Sequence, residues 1–155
     1  MQKNEYDINI IKVIDGDTVD VDIDLGFNIC LRNERVRIIG IDTPESRTSD
    51  PLEKLFGLAA KKKVYELLIG GGGKLITTEN TKGEDMRGKY GRILGDFRTS
   101  NGRMLTEILI SEGYCVPYHG GSKDDIKDLH LKNRERLLDD GIVSKEVYND
   151  TKENL

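Results

Sequence analysis

Arg37-Ile38-Ile39-Gly40-Ile41-Asp42-Thr43-Pro44-Glu45 sets the frame for the rest of the chain. An apolar strand runs into a turn and presents an arginine, an aspartate, a threonine and a glutamate on the way. Pro44 has no N–H to give a ladder, and it pushes Thr43 towards extended geometry, so the strand stops here. Side chains alternate across a strand, which puts Arg37 with Ile39 and Ile41, and Asp42 with Val36 and Ile38. Arg37 and Asp42 share a site only if regular strand geometry breaks before Asp42, at a sheet rim. Rims and the loops beyond them are where reactive groups are usually mounted.

Upstream, Ile14-Asp15-Gly16-Asp17-Thr18-Val19 places two carboxylates around a glycine, between two alternating runs. Tyr6 to Ile14 reads as one strand and Thr18 to Leu25 as the next, with Asp15-Gly16 as the hairpin turn. Asp20-x-Asp22-x-Asp24 invites a calcium-loop reading and fails it, because the glycine is one place late and Leu31 stands where glutamate is needed. A strand with a wet acidic face is expected instead. A third strand follows, about Ile29 to Ile39.

Downstream, Asp50-Pro51-Leu52-Glu53 is a helix start: a capping aspartate, proline at the first position, glutamate three residues after the cap. Leu52, Leu55, Phe56, Ala59, Ala60, Val64, Leu67 and Leu68 form one apolar stripe, which leaves Lys61, Lys62 and Lys63 on the outer face. Gly70 to Gly73 before Lys74 is no phosphate loop, since Leu68 and Leu75 replace the required glycine and hydroxyl and the run follows a helix. Lys74 to Thr78 and Arg92 to Arg98 read as two more strands, joined by the polar loop Glu79 to Gly91. A helix is expected over about Met104 to Glu112, and another from the Ser122 cap to Asp140. The pattern supports an α+β fold, with a domain over 1–141 and a polar tail over 142–155, expected either as one short helix or as disordered chain.

Charged residues make up 34% of the 155-residue chain, and the net charge is −4. That argues against a protein that grips DNA by bulk electrostatics, and leaves room for an enzyme that touches a few phosphates. The basic side chains between Lys82 and Arg103 are the local patch to look for. No apolar run approaches the roughly eighteen residues that span a bilayer. Met1 to Asp7 is polar and lacks a signal core, which points to a cytoplasmic protein. Cys30 and Cys115 have no metal-type spacing and are expected as free buried thiols.

D-G-D-T at Asp15 to Thr18, R-x-x-x-x-D-T-P-E at Arg37 to Glu45 and K-Y-G-R at Lys89 to Arg92, in this order, resemble the staphylococcal nuclease (thermonuclease) family. The likeness extends over roughly residues 6 to 141. It implies a five-stranded OB-type Greek-key β-barrel with three helices. It also implies a calcium-dependent nuclease that hydrolyses DNA and RNA with little sequence preference and leaves 3′-phosphate ends.

A phosphodiester repels nucleophiles by its own charge, so hydrolysis needs a cation, donors for the transition-state charge and a base for water. Asp17, Asp42 and the Thr43 carbonyl offer hard oxygens that suit Ca²⁺, and nothing has the His/Cys pattern of zinc. Arg37 and Arg92 are the candidate phosphate clamps, with the planar paired donors that lysine lacks. Glu45, past the proline turn, is the candidate base. By resemblance Lys89, Tyr90 and Tyr118 would bind substrate. His119 and His130 read as surface residues. The expected partners are DNA or RNA, with no membrane, and the chain is expected to be a monomer. The rival reading is a catalytically inactive nuclease-like module that binds nucleic acid or protein. Such modules usually lose the carboxylates or arginines that this chain keeps.

Overall fold

The computed structural model describes residues 3–79, 85–88 and 91–155. Five strands close a barrel in the order β1 (Lys3–Asp15), β2 (Thr18–Gly26), β3 (Ile29–Ile38), β6 (Ile93–Arg98) and β5 (Lys74–Thr78), which pairs back onto β1. All ladders are antiparallel except β3 with β6. Closure leaves these strands no open edge. The core is the inward side of the alternating runs, including Val19, Val21, Val36, Ile38, Leu75 and Phe97.

Helix α1 (Pro51–Leu68) starts as the sequence requires: the Asp50 carboxylate accepts from Leu52 N and Glu53 N, and Pro51 follows. It buries Phe56, Ala60, Val64 and Leu68 against the barrel. Two glycines fix how close it comes. A Cβ on Gly57 would lie 2.3 Å from the Glu45 carbonyl oxygen, and one on Gly16 would lie 2.9 Å from Ala60 Cβ. Only hydrogen fits at either point, so α1 is pressed directly behind the loop that carries Glu45.

Helix α2 (Leu105–Ser111) is shorter than its apolar run suggests. The third helical region divides into a 3₁₀ turn, Lys123–Ile126, and α3 (Lys127–Asp139); the Ser122 hydroxyl caps the turn by accepting from Asp124 N. A fourth helix, α4 (Lys145–Glu153), is added to the three expected in the domain and takes up the short helix allowed for the tail. Ser144 caps it, Val143 is buried, and Tyr148 meets Phe56 edge-on at 6.1 Å between ring centroids. A two-residue ladder between β4 (Ile41–Asp42) and β7 (Val116–Pro117) was also not expected, being too short for any periodicity to reveal. Both cysteines are free, but Cys30 is exposed on β3 rather than buried. Among the described residues, no helix is long and apolar enough to cross a membrane.

Candidate active site

Strand β3 ends at Ile38, and Gly40 takes φ +82°, a left-handed turn that glycine adopts at no steric cost. That break cancels the alternation that would separate Arg37 from Asp42. The Arg37 guanidinium then braces the turn, donating from Nη1 to the Ile38 carbonyl and from Nη2 to the Ile41 carbonyl at 3.2 Å. Its Nη2 also lies 3.5 Å from Asp17 Oδ2. Thr18 sits opposite Arg37 in the β2–β3 ladder, and Ile38 N donates to the Asp17 carbonyl at 2.7 Å, so the first two motifs are joined by backbone. The third arrives through the parallel pairing of Arg37 with Leu94, which brings Arg92 to the same rim.

Asp17, Arg37, Asp42, Glu45, Arg92 and Lys123 line one cleft of about 720 Å³. Asp17 Oδ1 accepts from the Thr18 hydroxyl at 2.9 Å. Both oxygens of Asp42 are engaged, Oδ2 by His130 Nε2 at 2.8 Å and Oδ1 by Lys123 Nζ at 3.2 Å. Burial pushes the Asp42 carboxyl up, but these two partners outweigh it and hold the group below its ordinary value. Glu45 goes the other way: desolvation, then the negative charges of Asp17 and Asp15, raise its pKa.

Thr43 is buried and faces the neighbouring hollow beside α3 rather than the cleft. Tyr118 is not among the cleft-lining residues; its hydroxyl donates to the Gly121 carbonyl at 2.7 Å, and its N–H donates to the Gly40 carbonyl. Lys89 and Tyr90 lie outside the described residues, as does Lys82 of the basic patch.

Several contacts in and beside the cleft had no sequence signal. His130 reads as a surface histidine, yet its side chain is 18% exposed and pinned to Asp42. Asp20 belongs to a run read as wet, but it is buried and takes two bonds from Arg35, at 2.8 and 3.1 Å. Asp15 accepts from the Ser46 hydroxyl and lies 3.6 Å from Arg47 Nη2, tying the hairpin turn to the loop after Glu45. A register between distant segments decides each of these contacts, and no local pattern encodes it.

The donor chemistry fits a hard cation. The oxygens are carboxylate and carbonyl, and after desolvation it is the charge of Asp17 and Asp15 that raises Glu45. Among the described residues, however, no group of three or more His, Cys, Asp or Glu side chains is arranged to hold a metal. Asp17 and Asp42 would therefore give a partial shell, to be completed by backbone oxygen, water and ligand, as calcium tolerates.

This is a barrel with a charged cleft at its rim, and the comparisons with known proteins agree in class. Residues 35–137 match the family described as staphylococcal nuclease homologue, and the chain belongs to that family. It is similar to endonuclease YncB of Bacillus subtilis (strain 168), at 34% identity over 112 residues, 72% of this chain and 48% of that one. SPbeta prophage-derived endonuclease YokF of the same organism is 33% identical over 111 residues, 72% of this chain and 34% of the relative. An uncharacterized endonuclease of Escherichia coli is 25% identical over 135 residues, 87% of this chain and 75% of that one. The chain thus spans about half or less of the two Bacillus proteins named first.

Proposed function

We propose that the chain is a calcium-dependent phosphodiesterase that hydrolyses DNA and RNA with little sequence preference. The observation that carries this reading is the convergence of Asp17, Arg37, Asp42, Glu45 and Arg92 on a single cleft. Family membership and the endonuclease names of the relatives support it.

Asp17 and Asp42, with the Thr43 carbonyl, are the residues proposed to hold the cation. When bound, Ca²⁺ would supply positive charge against the anionic diester. Glu45 takes a proton from the attacking water; desolvation, and then the carboxylates beside it, raise its proton affinity above that of a free glutamate, in the direction a base requires. Arg37 and Arg92 hold non-bridging phosphate oxygens and balance the charge that grows on them. Both stay charged, so the leaving 5′ oxygen takes its proton from solvent water, and Glu45 returns the proton it took to solvent. A new bond forms from the water oxygen to phosphorus, the bond to the 5′ oxygen breaks, and a 3′-phosphate end remains. Lys89, Tyr90 and Tyr118 are proposed to contact the flanking nucleotides.

The test is cleavage of an end-labelled single-stranded DNA by the parent and by Glu45→Ala, each with Ca²⁺ and with a chelator. Calcium-dependent cutting to 3′-phosphate ends is expected, with a loss of about 10²- to 10⁴-fold in the variant. A parent that binds the strand and never cuts it would replace this reading with a binding module.

A further inference from the structure

A second groove, of about 500 Å³, runs between β1 and α1. The β1–β2 register slips between Ile10 and Lys12, a bulge that turns Ile11 outward to 52% exposure. From the helix side, Leu58, Lys61, Lys62 and Tyr65 follow the i, i+3, i+4, i+7 spacing of one face, beside the stripe that fills the core. The floor is apolar and open, with Leu58 at 43% and Tyr65 at 49% exposure.

All the charged residues lining it, Lys12, Lys61 and Lys62, are positive, on a chain whose net charge is −4. Glu66, 3.9 Å from Lys62, is a weak exposed partner at the rim. The groove and the cleft take lining residues from consecutive stretches of β1, Ile11 to Val13 for one and Ile14 and Asp15 for the other. At strand rise, Lys12 and Asp15 are about 10 Å apart.

We propose that this groove is an accessory subsite for single-stranded nucleic acid, taking bases on Tyr65, Leu58 and Ile11 and backbone phosphates on Lys12, Lys61 and Lys62. It rests on the reading of the cleft as a nucleic-acid site and extends that site along β1. Apolar floor and cationic rim together match a strand with unpaired bases, since every base has a face to stack and every link carries a charge. A duplex hides its base faces and would use only the rim.

The test is fluorescence anisotropy of labelled oligothymidylate of about twelve nucleotides, in chelator so that nothing is cut, against a dinucleotide probe. The proteins are the parent, Lys61→Ala/Lys62→Ala and Tyr65→Ala, each checked for an unchanged melting temperature. The double variant should bind the longer strand about ten-fold more weakly and lower the salt slope by about 1.4, at ~0.7 for each lost phosphate contact. Tyr65→Ala should weaken the longer strand about five-fold or more. Dinucleotide binding should not change. Equal affinity of parent and variants for the longer strand would overturn the subsite. So would losses that are equal for both probes, or the same variants losing only phosphatidylserine vesicles. Calcium-dependent cutting by the parent is scored separately: cutting with no variant effect removes the groove and keeps the activity, and the reverse result removes the activity alone.

Discussion

The molecule treats its carboxylates in two ways, inside the hydrogen bonding of the fold and at the open cleft. Asp85 accepts from Asn4 at 3.1 Å, from Tyr6 at 2.7 Å and from the Thr77 hydroxyl. Burial raises its pKa, but those neutral donors outweigh it and hold it low. Asp96 accepts from the Thr106 hydroxyl at 2.6 Å and from Phe97 N at 2.7 Å, but there burial outweighs the donors and its carboxyl is raised. These acids are clasped by groups that belong to the fold. In the cleft, Asp42 instead leans on Lys123, whose side chain is 64% exposed, and Glu45 has mainly negative neighbours. A carboxylate satisfied by fixed neutral donors locks structure. One left among like charges and mobile cations is available to a ligand.

The largest expected effect separates the two classes. Glu45→Gln should reduce cleavage by about 10²- to 10⁴-fold, with the melting temperature held or slightly raised, because it removes a charge from an acidic cluster. Asp85→Ala should do the opposite. It should keep the cleft chemistry and lose about 2–4 kcal/mol of stability in urea unfolding, since three donors lose their acceptor. Equal stability losses in the two variants would erase the distinction.

His130→Ala sharpens the comparison within the cleft. A histidine that orients a ligating carboxylate should raise the Ca²⁺ concentration needed for thermal stabilisation by about 10- to 100-fold, and His130→Gln, which keeps a donor, should recover part of it. The parent itself should gain about 2.7 kcal/mol at a hundred times its Kd. An unshifted parent melting curve would remove the cation from the cleft, and an unchanged His130→Ala would remove only the positioning role.

The smallest effect is spectroscopic. Burial, then the Asp85 hydrogen bond and charge, push the Tyr6 phenol up to about 12. Its folded pKa lies above the unfolded value, so its share of stability is present below pH ~10 and is lost as pH rises towards ~12. Ultraviolet titration should show a late-ionising tyrosine that Tyr6→Phe removes. If every phenol ionises near the ordinary value, the Asp85 clasp is looser than the hydrogen bonds indicate.

Local chemistry was readable wherever one segment carried its own cause. Asp50-Pro51 dictates the start of α1, period-two alternation gives the strands, and β5 falls on Lys74–Thr78 as the residues require. The three motifs pointed to the family and to the residues of the cleft. Reading failed where the cause lay elsewhere in the chain. The Asp20 carboxylate looks wet until Arg35 arrives across the β2–β3 ladder, and His130 looks superficial until α3 folds back onto Asp42. The polar tail gave little sign that Val143 and Tyr148 would join the core beside Phe56.

The sequence by itself determined the barrel-forming strands, the capped helix and the residue types at the rim, because periodicity, capping and proline act within a few residues. Tertiary structure decided which of those residues meet. Gly40 turns Arg37 back over its own strand end, the parallel β3–β6 pairing carries Arg92 to the same rim, and Gly57 lets α1 close behind Glu45. Those meetings depend on strand register and backbone approach across the whole barrel, which local preference cannot set.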